Sequence, residues 1–169
     1  MTRRDNARAY GILVADQMRA YGSVYRWGGQ DLQDGLDCSG FVVEWLREVM
    51  EKFPEIYDGQ DRSAAGLYDY FRGEQEFGIL GDVRKVMNVT PASLILYLTR
   101  RSVIYHVALH ICSLPDDTNI AIEAGGAGSD ATSDAAALAR SAGVRFTDSF
   151  KHGSASWVAL DPFLLVADE

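Results

Sequence analysis

Three residue types in this sequence can perform acyl chemistry together: a thiol, an imidazole and a carboxylate. The thiol is Cys38. It follows Asp37 and opens a run in which Phe41, Val42, Trp45, Leu46, Val49 and Phe53 alternate with Glu44, Arg47, Glu48, Glu51 and Lys52. That periodicity predicts an amphipathic helix from near Asp37 to just before Pro54. Asp37 is a suitable N-cap, because its carboxylate can accept an orphan amide of the first turn. A cysteine at a helix start is a candidate nucleophile, since unpaired amides and the helix dipole favour a thiolate there. The small Ser39-Gly40 pair keeps the approach to the sulfur open. The plain alternative is a small buried hydrophobe, the commonest role of an isolated cysteine.

A nucleophile of this kind needs a base, and the histidines are His106, His110 and His152. Residues 105 to 112 alternate as a strand does. Val107, Leu109 and Ile111 share one face, and His106, Ala108 and His110 share the other. Ala108 is small, so the Cys38 helix is expected against its face, with His106 reaching the sulfur. His110 then lies about 13 Å further along at roughly 3.3 Å per residue. One metal ion cannot take both histidines, which argues against zinc, and nothing else in the sequence calls for a metal or a cofactor. Cys112 is on the same parity but about 20 Å along by the same spacing, and reads as a buried small residue. His152, in Lys151-His152-Gly153-Ser154, reads as a surface loop residue.

The base should in turn be oriented by a third group. A four-residue turn at Ser113 to Asp116 would set His106 opposite Glu123 on the next strand. Its carboxylate would accept the ring N–H and hold one tautomer. A one-residue slip would put Glu123 on the wrong face. The alternative for Glu123 is a hinge before the glycines that follow it. That run, Gly125 to Gly128, lacks the Gly-Lys-Ser/Thr ending of a phosphate loop.

The elements that must position these groups are legible to different degrees. A first helix spans about Asp5 to Tyr21, with Tyr10, Val14, Met18 and Tyr21 on its apolar face and Gly22 as its stop. Gly28-Gly29 and Asp34-Gly35 mark turns. Ser63 can cap a third helix carrying Leu67, Tyr68 and Phe71. Gly73 to Thr90 reads as mostly irregular. Ser93 to Leu98, Ile120 to Ala124, Val144 to Thr147 and Trp157 to Leu160 read as strands. Ser133 to Ala142 reads as a helix ended by Gly143. Helices first and mostly antiparallel strands afterwards predict an α+β domain, a single one over 1–169.

Composition narrows the partners. The 169 residues are 47% hydrophobic and 24% charged, with net charge -8, so a core needs no disulfide or metal. The negative charge argues against nucleic acid and against an anionic membrane surface. Two cysteines exclude a disulfide framework. Met1-Thr2-Arg3-Arg4 has the basic start of a signal peptide, but Gln17 and Arg19 interrupt the apolar stretch that would follow. No stretch approaches the roughly 20 apolar residues of a membrane helix. The expectation is a chain made in the cytoplasm without a signal peptide.

Tyr25-Arg26-Trp27-Gly28-Gly29, followed by Asp37-Cys38-Ser39-Gly40-Phe41-Val42, resembles the signature of the NlpC-type cell-wall cysteine peptidases of the papain-like group. His106-Val107-Ala108-Leu109, 68 residues after Cys38, resembles the family's histidine strand, and Pro91 to Leu96 the strand before it. Ile122-Glu123-Ala124-Gly125-Gly126 and Val158 to Phe163 look like a phage- and prophage-associated branch. The resemblance implies that helices pack on a mostly antiparallel sheet. It implies Cys38 as nucleophile, His106 as base, Glu123 as the third residue, and Tyr25 with its hydroxyl near the sulfur. The Cys38 amide would help stabilise the oxyanion. Asp37 and Ser39 match residues that receive the stem peptide in some members. Trp27 either lines the cleft or braces the loop. The implied substrate is a peptidoglycan stem peptide, often the bond between D-γ-glutamate and a diamino acid. Ala108 departs from the usual glycine and Glu123 from the usual histidine. Glu55 to Thr90 carries no pattern of the family.

Delivery to the wall would then need a phage tail, another delivery partner or a lysis system. A toxin secreted into a neighbouring cell is a second context. A virion or assembly protein that keeps the fold without catalysis is a different class of answer, compatible with the acidic charge. An acyltransferase on the same scaffold is a third.

Overall fold

The computed structural model describes residues 1–74, 79–81, 89–99, 101–116, 118–126, 128–148 and 156–168. The expectation for His152 lies outside the described residues.

Helix α1 (Arg3–Tyr21) begins at a capping box, in which Thr2 and Asp5 satisfy each other's backbone amides. It stops at Gly22, whose φ of +80° is left-handed. Its buried stripe is Ala7, Gly11, Val14, Ala15 and Met18, and Tyr21 is exposed. Small residues rather than bulky ones define this interface. A Cβ on Gly11 would come 2.6 Å from the Phe163 ring, and the Gly11 carbonyl accepts the Trp45 indole N–H at 2.7 Å.

A two-stranded ribbon, β1 (Gln30–Asp31) with β2 (Gly35–Leu36), leads into helix α2 (Cys38–Met50). Phe41, Val42, Trp45, Leu46 and Val49 are buried along it, as the periodicity predicts. A 3-10 turn at Pro54–Ile56 precedes α3 (Ala64–Glu74), where Ser63 accepts the Gly66 amide and Leu67 and Phe71 are buried.

The strands follow as β3 (Ile79–Gly81), β4 (Leu94–Leu98), β5 (Ile104–Ser113), β6 (Asn119–Gly125), β7 (Gly143–Asp148) and β8 (Ser156–Leu160). They form a six-stranded sheet in the order β3-β8-β4-β5-β6-β7, with every pair antiparallel. This is the α+β arrangement of helices on an antiparallel sheet. The stretch read as irregular therefore holds a short strand. Three residues are too few to show alternation, and β3 pairs with a strand from the far end of the chain.

Between β6 and β7, helix α4 (Asp134–Ala139) is capped by Ser133 and ends earlier than expected. Ser141, at φ +51°, makes the left-handed turn that Gly143 was expected to make. Gly143 instead opens β7, where a Cβ would press on the Ser23 carbonyl at 2.7 Å.

The sheet has two unlike faces. Leu94, Leu96, Val107, Leu109, Ile122, Val158 and Leu160 join the helices in the main core. Ile95, Tyr97, Ala108, Ala121, Trp157 and Ala159 form a smaller cluster on the other side. The Cys38 helix thus packs on the Val107–Leu109 face, not on the Ala108 face. The large aliphatic side chains bury more apolar surface against α2 than the Ala108 side can. No described helix is long and apolar enough to cross a membrane.

Glycine substitutions separate close contact from open space. A Cβ on Gly40 would overlap the Gly29 carbonyl oxygen, whereas one on Gly73 meets nothing within 4 Å among the described residues. In urea unfolding, Gly40→Ala is expected to lose about 1–3 kcal/mol or more. Gly73→Ala, in the last turns of α3, is expected to gain up to about 1 kcal/mol.

Candidate active site

The start of α2 is bolted to the glycine loop by one carboxylate and one backbone contact. Asp37 Oδ1 accepts the Gly40 amide at 2.7 Å and the Ser39 hydroxyl at 2.9 Å. Its Oδ2 accepts the Gly28 amide at 3.1 Å. The Asp37 amide donates to the Gly29 carbonyl at 3.1 Å. Gly28 has a φ of +73°, the left-handed turn that a side chain would resist. Asp37 is therefore the N-cap, as expected. Ser39 is buried beside it, with its hydroxyl turned to Asp37.

The preceding segment is laid against two strands. The Tyr25 amide donates to the Ala142 carbonyl and the Arg26 amide to the Leu36 carbonyl, both at 3.1 Å. Tyr25 is buried, and burial pushes its hydroxyl well above the ordinary phenol range, with Cys38 and then Asp37 adding to the shift. The hydroxyl thus lies within electrostatic reach of both. At Trp27 the backbone does the bracing, donating to the Ala131 carbonyl at 2.8 Å. Its ring is 56% exposed.

Cys38 behaves differently from the sequence expectation. Its thiol is pushed up to about 11, first by burial and then by the Asp37 charge. Backbone amides of Val107, Ser39 and Cys38 itself pull the other way. The resting group is therefore a thiol and not a thiolate. The sulfur's partial loss of water costs the anion more than the helix start returns. Val107, the residue after His106 in the chain, is thus one of the backbone groups that act on the thiol.

The structure brings His106 and Glu123 together by a different register from the expected one. The pairs are Leu109↔Ile122 and His110↔Ala121, two residues away from a pairing of His106 with Glu123. The slip is even, so Glu123 keeps its face and reaches His106 diagonally, with Nε2 and Oε2 2.7 Å apart. The connection is also longer than a four-residue turn, since β5 ends at Ser113 and β6 begins at Asn119. A bulge between His110 and Cys112 pairs Cys112 with Ile120. This moves Cys112 off the His106 face, where it is only partly buried.

Glu123 is itself buried, its side chain 1% exposed. Gly125 leaves it room, since a Cβ there would lie 2.8 Å from Oε1. Sequence reasoning missed two neighbours. Arg145 pairs with Glu123 across β6 and β7, and its Nη2 lies 3.3 Å from Oε1. Tyr97 pairs directly with His106, with ring centroids 5.5 Å apart. Tyr97 was findable, because strand alternation at 94–98 puts it with Ile95 on one face. Arg145 was not, because nothing local says that β7 returns to β6 after the intervening helix.

His110 is fully buried, with its ring on the small-cluster side, and burial lowers its pKa to about 4. It is a neutral core residue.

The sequence model of the NlpC/P60 family matches residues 22–135. That span holds Tyr25, Trp27, Asp37, Cys38, Ser39, His106 and Glu123, but not Arg145. No curated protein matches the chain.

Two pH experiments follow from these environments. Asp37→Asn keeps a capping side chain but removes the charge that opposes the thiolate. The pH midpoint of Cys38 alkylation by iodoacetamide is expected to fall, and an unchanged midpoint would remove Asp37 from the electrostatics. The second concerns His110, whose native pKa lies below that of the unfolded chain. The unfolded state binds the extra proton, so stability falls as pH drops from about 6.5 to about 4. The slope is at most about 1.4 kcal/mol per pH unit. Chemical unfolding of His110→Gln across that window is expected to lack this component.

Proposed function

The chain belongs to the NlpC/P60 family, and from that membership we propose that it is a peptidoglycan hydrolase cleaving a stem-peptide amide through a Cys38 thioester. The family is one of cysteine peptidases and amidases acting on cell-wall peptidoglycan. The observation that carries the reading is the His106–Glu123 contact at 2.7 Å.

An ionised Glu123 is acceptor-only, so the shared proton sits on His106 Nε2. Nδ1 is then the nitrogen able to accept the Cys38 proton as the sulfur attacks the amide carbon. Thiol and base act in one step, which suits a site whose resting state is a thiol. The negative charge that develops on the carbonyl oxygen meets the Cys38 amide at the helix start and the Tyr25 hydroxyl. Each such donor is worth about 2.7–4 kcal/mol of barrier. His106 next returns its proton to the leaving amine, which departs and leaves the thioester. Water, deprotonated by His106, hydrolyses that thioester and frees Cys38.

Asp37 and the exposed Trp27 ring form the proposed wall for the stem peptide, with the buried Ser39 holding Asp37 in place. The bond proposed is D-γ-glutamyl–diamino acid. A phage context, with a virion or lysis system delivering the enzyme, is the proposed route to the wall.

The test is mass spectrometry of purified peptidoglycan and of a defined L-Ala-γ-D-Glu-diaminopimelate peptide after incubation. A fragment made by the native protein and absent with Cys38→Ala is expected, and its mass names the bond. Glu123→Gln can offer the ring an N–H in place of an acceptor, and wrong-tautomer variants of related triads lose up to about 10⁴-fold in kcat. No fragment from either substrate, with Cys38 alkylated no faster than Cys112, would overturn the reading.

A further inference from the structure

We propose that Arg145 is a positioning residue: it keeps the buried Glu123 ionised and thereby holds the His106 proton on Nε2. The inference rests on reading Cys38 and His106 as nucleophile and base.

Two of the described residues share the Glu123 carboxylate. His106 Nε2 takes Oε2 at 2.7 Å and Arg145 Nη2 takes Oε1 at 3.3 Å. The Glu123 side chain is 1% exposed, while Arg145 is 39% exposed on β7. The sheet sets this up directly, since Glu123 and Arg145 are register partners. Gly126, with a φ of +109°, adds to it, because a Cβ there would crowd Arg145 Nη1 at 3.1 Å.

A buried carboxylate tends to take up a proton unless a cation stands beside it. His106 cannot be that cation, because it must be neutral to act as the base. Arg145 can, because a guanidinium stays charged at every working pH. Were Glu123 to protonate, it would donate to Nε2. The ring proton would then sit on Nδ1, and His106 could not receive the thiol proton.

Other ionisable groups lie on the elements packed around β5 and β6. Tyr97 faces it from β4 and feels Glu123, Tyr105 and Asp148. His110 lies along β5, Cys38 and Asp37 come from α2, and Tyr25 comes from the loop. Of these groups and Arg145, only Arg145 carries a fixed positive charge.

Proton counting makes the test independent of which atom holds each proton. The working site is blocked when one more proton binds to the coupled His106–Glu123 pair. A neighbouring cation opposes that proton, so removing it raises the pH at which the block sets in.

The measurement is the pH profile of Cys38 alkylation, read by mass spectrometry with Cys112 as internal reference. Arg145→Met is expected to raise the acidic midpoint by about one pH unit, the low end for losing a nearby opposite charge. Arg145→Lys is expected to restore it. On a Glu123→Gln background, Arg145→Met is expected to leave it in place. A folded Arg145→Met protein with an unmoved midpoint overturns the inference, as does an equal shift on the Gln background. A merely structural role would lower the melting temperature without moving the midpoint. In the native protein, ¹⁵N NMR of the imidazole is expected to find the proton on Nε2 of His106, and a proton on Nδ1 overturns the inference without any variant. If native Cys38 reacts no faster than Cys112, the nucleophile reading fails and takes this inference with it. If native Cys38 is reactive but its profile ignores Arg145, this inference alone fails.

Discussion

The Gly29 carbonyl oxygen rests against the Gly40 α-carbon, where any side chain would overlap it. The glycine loop and the first turn of α2 can meet this closely only because both positions lack a Cβ. Once they meet, the Asp37 carboxylate can reach Gly28, Ser39 and Gly40 together. One orphan amide of the helix start, that of Gly40, is thereby satisfied by Asp37. Cap and loop conformation are thus consequences of one backbone contact.

That contact also sets the electrostatic character of the site. Raising the thiol to about 11 costs the anion roughly 3 kcal/mol at about 1.4 kcal/mol per pH unit. A helix N-terminus returns about 0.3–1 kcal/mol at an exposed position and up to about 2 kcal/mol when partly buried. Burial wins, with the Asp37 charge behind it. The same carboxylate that caps the helix therefore opposes the thiolate. A site built this way depends on its base to make the nucleophile at the moment of attack. The weight of the mechanism accordingly shifts to His106 and to whatever keeps its ring correctly protonated.

Local physics made the helix half of the site legible in the sequence. Periodicity from Phe41 to Val49 and the Asp37 cap define α2 without reference to the rest of the chain. The strand half was legible only in parity. His106 and Glu123 share a face because the true register differs from the expected one by an even number. Cys112 left that face because one bulge changes parity, and no local signal announces a bulge. The face chosen by α2 was misjudged because smallness at Ala108 suggested room, whereas packing followed the larger aliphatic residues Val107 and Leu109. Arg145 and β3 escaped for a shared reason. Each depends on a pairing between segments far apart in the chain, and pairing partners are not written in either segment alone.

The edge strand β7 connects the two halves. At its start the Ser23 carbonyl accepts the Val144 amide and the Ala142 carbonyl accepts the Tyr25 amide. Gly143 has no Cβ there to hold the loop away. One residue further on, Arg145 turns to Glu123 on the neighbouring strand. A stretch of four residues, 142 to 145, therefore carries the loop that bears Tyr25 and also the charge on the partner of His106. An edge strand ordinarily needs protection along its free backbone, and here the Tyr25 loop covers its beginning. The covering and the positioning are the same contact. Displacing β7 would loosen Tyr25 and Glu123 together, although neither residue lies on it.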